Sequence, residues 1–262
     1  MSNTEIAGES QRLGELRNGL FTSDLSINEL VLIKRAGFAP LGMVVGSSIY
    51  HIGLQVARWN NSQELEVLSR AMHDAREQAV NRMQAEAAAL GADGIIGTDL
   101  ILQAYVGGQN VLEFVAIGTA ISYSAEPGAL RTANGQPFTS HIDGDGFVKL
   151  WREGLVPTHF SFGVCVYHVA HQTALQSMRQ VGQNIEMPIY TQAIYSAREI
   201  ALERMQSEAK AIGSVGIVGT GLKVANHVWG EHAVEFMAYG TGVRAHQFPV
   251  APMADPVYVM PI

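Results

Sequence analysis

The sequence predicts an α+β protein made of two tandem β-α-β-β units, each an antiparallel three-stranded sheet carrying one helix. Two observations carry that expectation. The first is an internal repeat, the mark of a duplicated structural unit. Ala75–Leu100 (AREQAVNRMQAEAAALGADGIIGTDL) and Ala197–Leu222 (AREIALERMQSEAKAIGSVGIVGTGL) agree at 16 of 26 positions, at an offset of 122. The match continues through Glu113-Phe114 with Glu235-Phe236 and Gly118-Thr119 with Gly240-Thr241. Upstream the offset is 117: Phe21-Thr22-Ser23 matches Phe138-Thr139-Ser140, and Tyr50-His51 matches Tyr167-His168. The five extra residues of the second copy therefore fall between Ala174 and Ala197. The second observation is that the apolar period in each copy changes from strand-like to helix-like and back.

Each copy opens on a short apolar segment rich in β-branched residues, Leu41–Ile52 and His159–Val169, which reads as a strand. A helix follows. Leu65, Leu68, Met72, Ala75, Ala79, Met83, Ala87 and Leu90 keep the spacing of one apolar face, and Ile194, Ala197, Ala201, Met205, Ala209 and Ile212 repeat it. Gly91 and Gly213 come next, where a helix C-cap places a glycine at positive φ. So many alanines on the buried stripe imply close approach to a sheet. Two further strands complete each copy. Ile95–Ala104 and Val111–Ser122 turn at Gly107-Gly108; Ile217–Ala225 and Ala233–Val243 turn around Trp229-Gly230. The second face of so thin a sheet has no partner in its own copy and is expected to bury against other copies.

These assignments divide the chain into a polar N-terminal arm (1–20), a first domain (21–123), a linker rich in turn formers (124–137), a second domain (138–246) and a C-terminal arm (247–262). The C-terminal arm holds four of the nine prolines, which excludes a helix. Its apolar residues fit an extended segment lying on its own body, a neighbouring subunit or a partner protein.

Composition narrows the function. Charged residues make up 16% of the chain, against a usual ~25%, so homo-oligomer formation is expected to cover part of the surface. A net charge of −7 argues against nucleic-acid binding through a basic face. One cysteine excludes a disulfide framework and a multi-cysteine metal site within the chain, and fits a reduced, cytoplasmic setting. The polar start Met1–Glu5 does not read as a signal peptide, and no run of ~18 apolar residues suggests a membrane span.

Ala75-Arg76, Ala79, Met83 and Ala87, then LGADGIIG (90–97) and the closing Gly118-Thr119-Ala120, resemble the YbjQ-like family of heavy-metal-binding domains. The resemblance covers roughly residues 38–122 and 155–244, with Ser214-Val215 departing from the pattern in the second copy. It implies a dodecin-like β-α-β-β subunit that assembles into rings, pentameric in single-domain members, in a family with no established enzyme activity. A tandem fusion brings two domains per chain, so that ring number does not transfer.

Candidate chemistry follows from spacing. His227 and His232 bracket a four-residue turn, where cross-strand neighbours lie ~5 Å apart, and Glu231 adjoins them. They are the candidate site for a divalent metal, or else polar loop residues. Copy one has Tyr105 and Asn110 there. The matched pairs Tyr50-His51 and Tyr167-His168 are either ligand-facing at a strand end or satisfied by backbone at a subunit contact. Glu113 and Glu235 stand in apolar strands, where an unpaired carboxylate is costly. Each is expected to form a structural ion pair with the arginine of its own helix, Arg76 or Arg198, or of an adjacent subunit. Arg82 with Glu86 and Arg204 with Glu208 have the spacing of helix-surface pairs.

The glycine runs follow a helix and lead into a strand, the reverse of a phosphate-binding loop. His141–Gly146 mimics half a calcium loop, but its first ligand would be His141 and its twelfth Arg152, so it reads as a turn. Cys165, in an apolar strand, is expected to be inert. The expectation is a non-enzymatic, oligomer-forming ring or shell scaffold or small-ligand-binding protein. The alternative is a metal-binding module using the histidine pair of the second hairpin.

Overall fold

The computed structural model describes residue 14 and residues 20–51, 62–104, 111–169, 188–227 and 233–250. Among these, four helices and two sheets alternate along the chain: α1 (Ile27–Arg35), β1 (Phe38–His51), β2 (Gln63–Glu64), α2 (Glu66–Ala89), β3 (Gly94–Ala104) and β4 (Val111–Tyr123) in and around the first copy; then β5 (Phe138–Thr139), α3 (Gly144–Arg152), β6 (Leu155–His168), α4 (Pro188–Ala211), β7 (Gly216–His227) and β8 (Ala233–Ala245).

The sheets are four-stranded, ordered β1-β4-β3-β5 and β2-β6-β8-β7, rather than three-stranded. In each, the fourth strand is two residues long and comes from the other copy. β5 pairs parallel with β3 (Gly94 opposite Phe138), and β2 pairs antiparallel with β6 (Gln63 opposite His168). Edge strands carry unpaired N–H and C=O groups that a passing segment can satisfy. A two-residue strand has no period to read, which is why the sequence pattern misses it.

Helices α2 and α4 lie on their own sheets by the predicted alanine-rich stripe. Ala75, Ala79, Met83 and Ala87 are buried on α2, and Ala197, Ala201, Met205 and Ala209 on α4. Gly91 and Gly213 adopt φ of 79° and 83° just past the helix ends, the left-handed conformation that terminates a helix. The recurring charges do different work from that expected. Instead of serving as helix-surface pairs, Arg82 donates to Ser47 O, and Glu86 accepts from Val45 N at 2.9 Å. In the second copy Arg204 donates to Val164 O (2.6 Å) and Glu208 accepts from Phe162 N (2.8 Å). The outward backbone groups of β1 and β6 need partners, and the helix arms supply them.

Two short helices went unread in the sequence. Ser26 and Glu29 form a capping box at the start of α1. The half calcium loop is the N-terminus of α3, with Asp143 capping Gly146 N at 2.8 Å. Between them sits an aromatic cluster: Phe38 meets Phe147 and Trp151 edge-on, with centroids 4.9 and 5.0 Å apart. His246 stacks on Trp151 at 3.9 Å and Phe248 lies beside it, so the described start of the C-terminal arm rests on its own body.

Candidate assembly interface

The two copies pack directly on one another through a shared buried cluster. Side chains alternate across a strand. On β6, Gly163 and Cys165 face α4, so Phe160, Phe162, Val164 and Val166 face away from it. That second face is covered by α2 of the first copy: the four residues share one buried cluster with Leu68, Met72 and Val80. Among the described residues helix α2 is therefore held between two sheets, while α4 packs on one.

Polar contacts lock this packing. Arg76 reaches Glu235 at 2.5 Å, both side chains almost fully buried, and its guanidinium lies 5.2 Å from the Phe114 ring centroid. Ser69 Oγ accepts from Val166 N (2.8 Å), Gln84 Nε2 donates to Pro137 O (2.8 Å), and Lys223 reaches Asp99 at 3.1 Å near the surface. A cleft of about 340 Å³ lies beside the Arg76–Glu235 pair, lined also by Leu100, Phe114 and Met237.

The pairing differs from the own-helix expectation for a geometric reason. Phe236 packs in the α4 core, so its neighbour Glu235 points to the opposite face, out of reach of Arg198. Arg198 instead pairs with the adjacent Glu199 at 2.8 Å, and Glu113 accepts from Gln103 Nε2 at 2.8 Å. The Tyr-His pairs divide likewise. Tyr50 and Tyr167 pack towards the helix of their own copy; His168 is buried opposite Gln63, whereas His51 is exposed.

For the metal candidate, Glu231 and His232 lie outside the described residues, as does the side chain of His227, whose backbone ends β7. Among the described residues no group of three His, Cys, Asp or Glu could hold a metal ion. Burial and the nearby Glu64 charge push the Cys165 thiol up to about 12, which suits an inert core residue. A second cleft, of about 700 Å³, lies between the two helices and is lined by Glu64, Arg70, His73, Glu203, Arg204 and Glu208, among others.

Sequence reading missed one contributor, His141. Its Nε2–H donates to Gly219 O (2.8 Å) and its Nδ1 lies 2.8 Å from Thr241 Oγ1. Burial, with the charge of Lys223, lowers its pKa. A histidine held neutral stabilises the fold fully above its unfolded value of about 6.5 and loses that contribution as pH falls towards its folded value. Thermal melting between about pH 7.5 and 5.5 is therefore expected to show wild type losing stability on acidification, and His141→Gln giving a shallower slope. Parallel slopes would exclude His141 as a source of the pH dependence.

No helix among the described residues is long and apolar enough to cross a membrane. The model of a family described as "Putative heavy-metal-binding" matches residues 40–124 and 166–246. The chain is 49% identical over 235 residues to an encapsulin nanocompartment protein of Mycobacterium tuberculosis, covering 90% of this chain and 89% of that one. Shorter matches, 39% identical over 59 residues, join it to UPF0145 proteins of Thermus thermophilus and Thermotoga maritima. These cover 22% of this chain and 50% and 54% of the two relatives. With both repeats matched, and the first match spanning nine tenths of the chain, this protein belongs to the YbjQ family as a tandem duplication.

Proposed function

We propose that the chain is a non-enzymatic, cytoplasmic scaffold that self-assembles into a ring or shell. The observation carrying this is an asymmetry between the copies. The outer face of the second sheet is closed by α2, whereas the equivalent face of the first, with Ile49 and Ile101 exposed, has no cover among the described residues. An open apolar sheet face is a site of association. Similarity over nine tenths of both chains to an encapsulin nanocompartment protein supports placing the assembly in or on such a compartment. The cleft between the helices is the candidate place for a small ligand within the scaffold.

The family description supports a second reading, divalent-metal binding by His227, Glu231 and His232. One experiment separates the two: the mass of the native particle, measured with and without a chelator. A scaffold gives a multiple of 28.3 kDa that the chelator leaves intact. A monomer overturns the scaffold reading, and an assembly dissolved by chelation and restored by metal replaces it with the metal reading.

A further inference from the structure

The internal duplication allows the missing neighbour to be located residue by residue. Within the chain, the contact runs from α2 and the β3 edge of copy one to the outer sheet face and leading segment of copy two. Shifting the participants by the repeat offset, 122 from the helix onward and 117 before it, yields a second contact that is not made among the described residues of one chain. It keeps most of the chemistry, the peripheral Lys223–Asp99 pair alone being replaced by Ile101 and Gly221. Its two halves are α4 with the β7 edge, and the outer face of the β1-β4-β3 sheet with residues 20–25.

Three matches show that both halves are present. Arg76–Glu235 becomes Arg198 with Glu113, and both of these lie in partly open positions with only local partners. Phe138 lies over Gly94, where a Cβ would meet the ring at 2.2 Å; its counterpart Phe21 is 50% exposed, and a Cβ on Gly216, the counterpart of Gly94, would meet only Val243, at 3.8 Å. Gln84 donates to Pro137 O; the counterparts are Gln206, exposed, and Leu20, 92% exposed. Exposure follows the same rule elsewhere. Asp93 and Val166 are wholly buried, while their counterparts Val215 and Ile49 are 75% and 54% exposed.

We infer that these two faces bind one another in neighbouring chains: α4 of one protomer lies on the outer face of the first sheet of a second copy, in the register by which α2 lies on the second sheet. Arg198 then reaches Glu113 of the partner subunit, and Gly216 receives Phe21 of the partner subunit. The contact deepens the scaffold reading and rests on it. Because its two halves are different surfaces, it is head-to-tail and propagates until it closes. Each chain supplies two steps, so a closed ring holds an even number of domains.

The test combines charge reversal with cross-linking of the full chain. Arg198→Glu and Glu113→Arg are each expected to reduce the assembly to the 28.3-kDa chain, with unchanged circular dichroism, and the double variant to restore it. Gly94 and Phe138 are register partners in adjacent strands, so a Phe21→Cys/Gly216→Cys chain is expected to form a ladder of disulfide-linked chains on oxidation. Cys165 is buried and does not compete. Wild-type monomers would overturn the scaffold reading together with this one. An assembling wild type whose single charge variants also assemble, whose double variant stays dissociated, or whose cysteine pair gives no ladder would overturn the assigned faces and leave the scaffold standing.

Discussion

Gly46→Ala is expected to cost about 3 kcal/mol, at the upper end of overpacking effects, and to lower the melting temperature by about 10 °C. A Cβ at residue 46 would stand 2.0 Å from Ala79 O and 2.4 Å from Met83 N. Both obstacles are helix backbone, which a rotamer change cannot move aside. The matched Gly163 meets the same geometry, with Ala201 O at 2.1 Å and Met205 N at 2.6 Å. The two substitutions nonetheless differ in expected cost. Helix α2 cannot retreat from the first sheet, because its outer side is packed on Phe160, Phe162 and Val164 of the second. Helix α4 has that side open among the described residues and can shift outward. In the dissociated chain Gly46→Ala is therefore expected to be the more damaging, and in the assembly, with α4 covered, the two should converge. A melting temperature within about 2 °C of wild type for Gly46→Ala, under 1 kcal/mol at this chain length, would show that α2 is not clamped between the sheets.

The same comparison separates what was legible in the sequence from what was not. The strand-helix-hairpin order was legible because long elements with one buried face impose a period, and Gly91 and Gly213 mark helix ends chemically. The recurrence of Arg76/Arg198 and Glu113/Glu235 marked these residues as structural. Their partners were not legible from recurrence alone, yet a signal was there. Arg76 follows Ala75 by about 100° around the helix, turning it away from its own sheet. Glu235 precedes Phe236, which faces the opposite side. The two offsets together rule out pairing within a copy and require a second layer. Helices α1 and α3 were missed because nine residues are too few to show a period, although the Ser26/Glu29 capping box was readable as a helix start. The exchanged strands β2 and β5 depend on which segments pass which edge, a tertiary fact with no local signature.

Arg76→Met is expected to destabilise the chain by about 3–5 kcal/mol, because it leaves the charge of Glu235 buried without its guanidinium. The double variant Arg76→Met/Glu235→Met is expected to recover most of that loss, since an apolar pair of similar volume removes the desolvation cost along with the attraction. The pH dependence distinguishes this cause from lost packing. A buried carboxylate without its cation favours the neutral form, so its folded pKa rises above the unfolded value of about 4.3. The single variant should then regain stability relative to wild type as pH falls, whereas the double variant should run parallel to wild type. Thermal melts of the four proteins across pH complete the cycle. Strict additivity of the two substitutions would mean that Arg76 and Glu235 are not coupled. A large coupling would establish the join between the copies as the energetic centre of the chain, and give the scale of the loss expected when Arg198 is separated from Glu113 of the partner subunit.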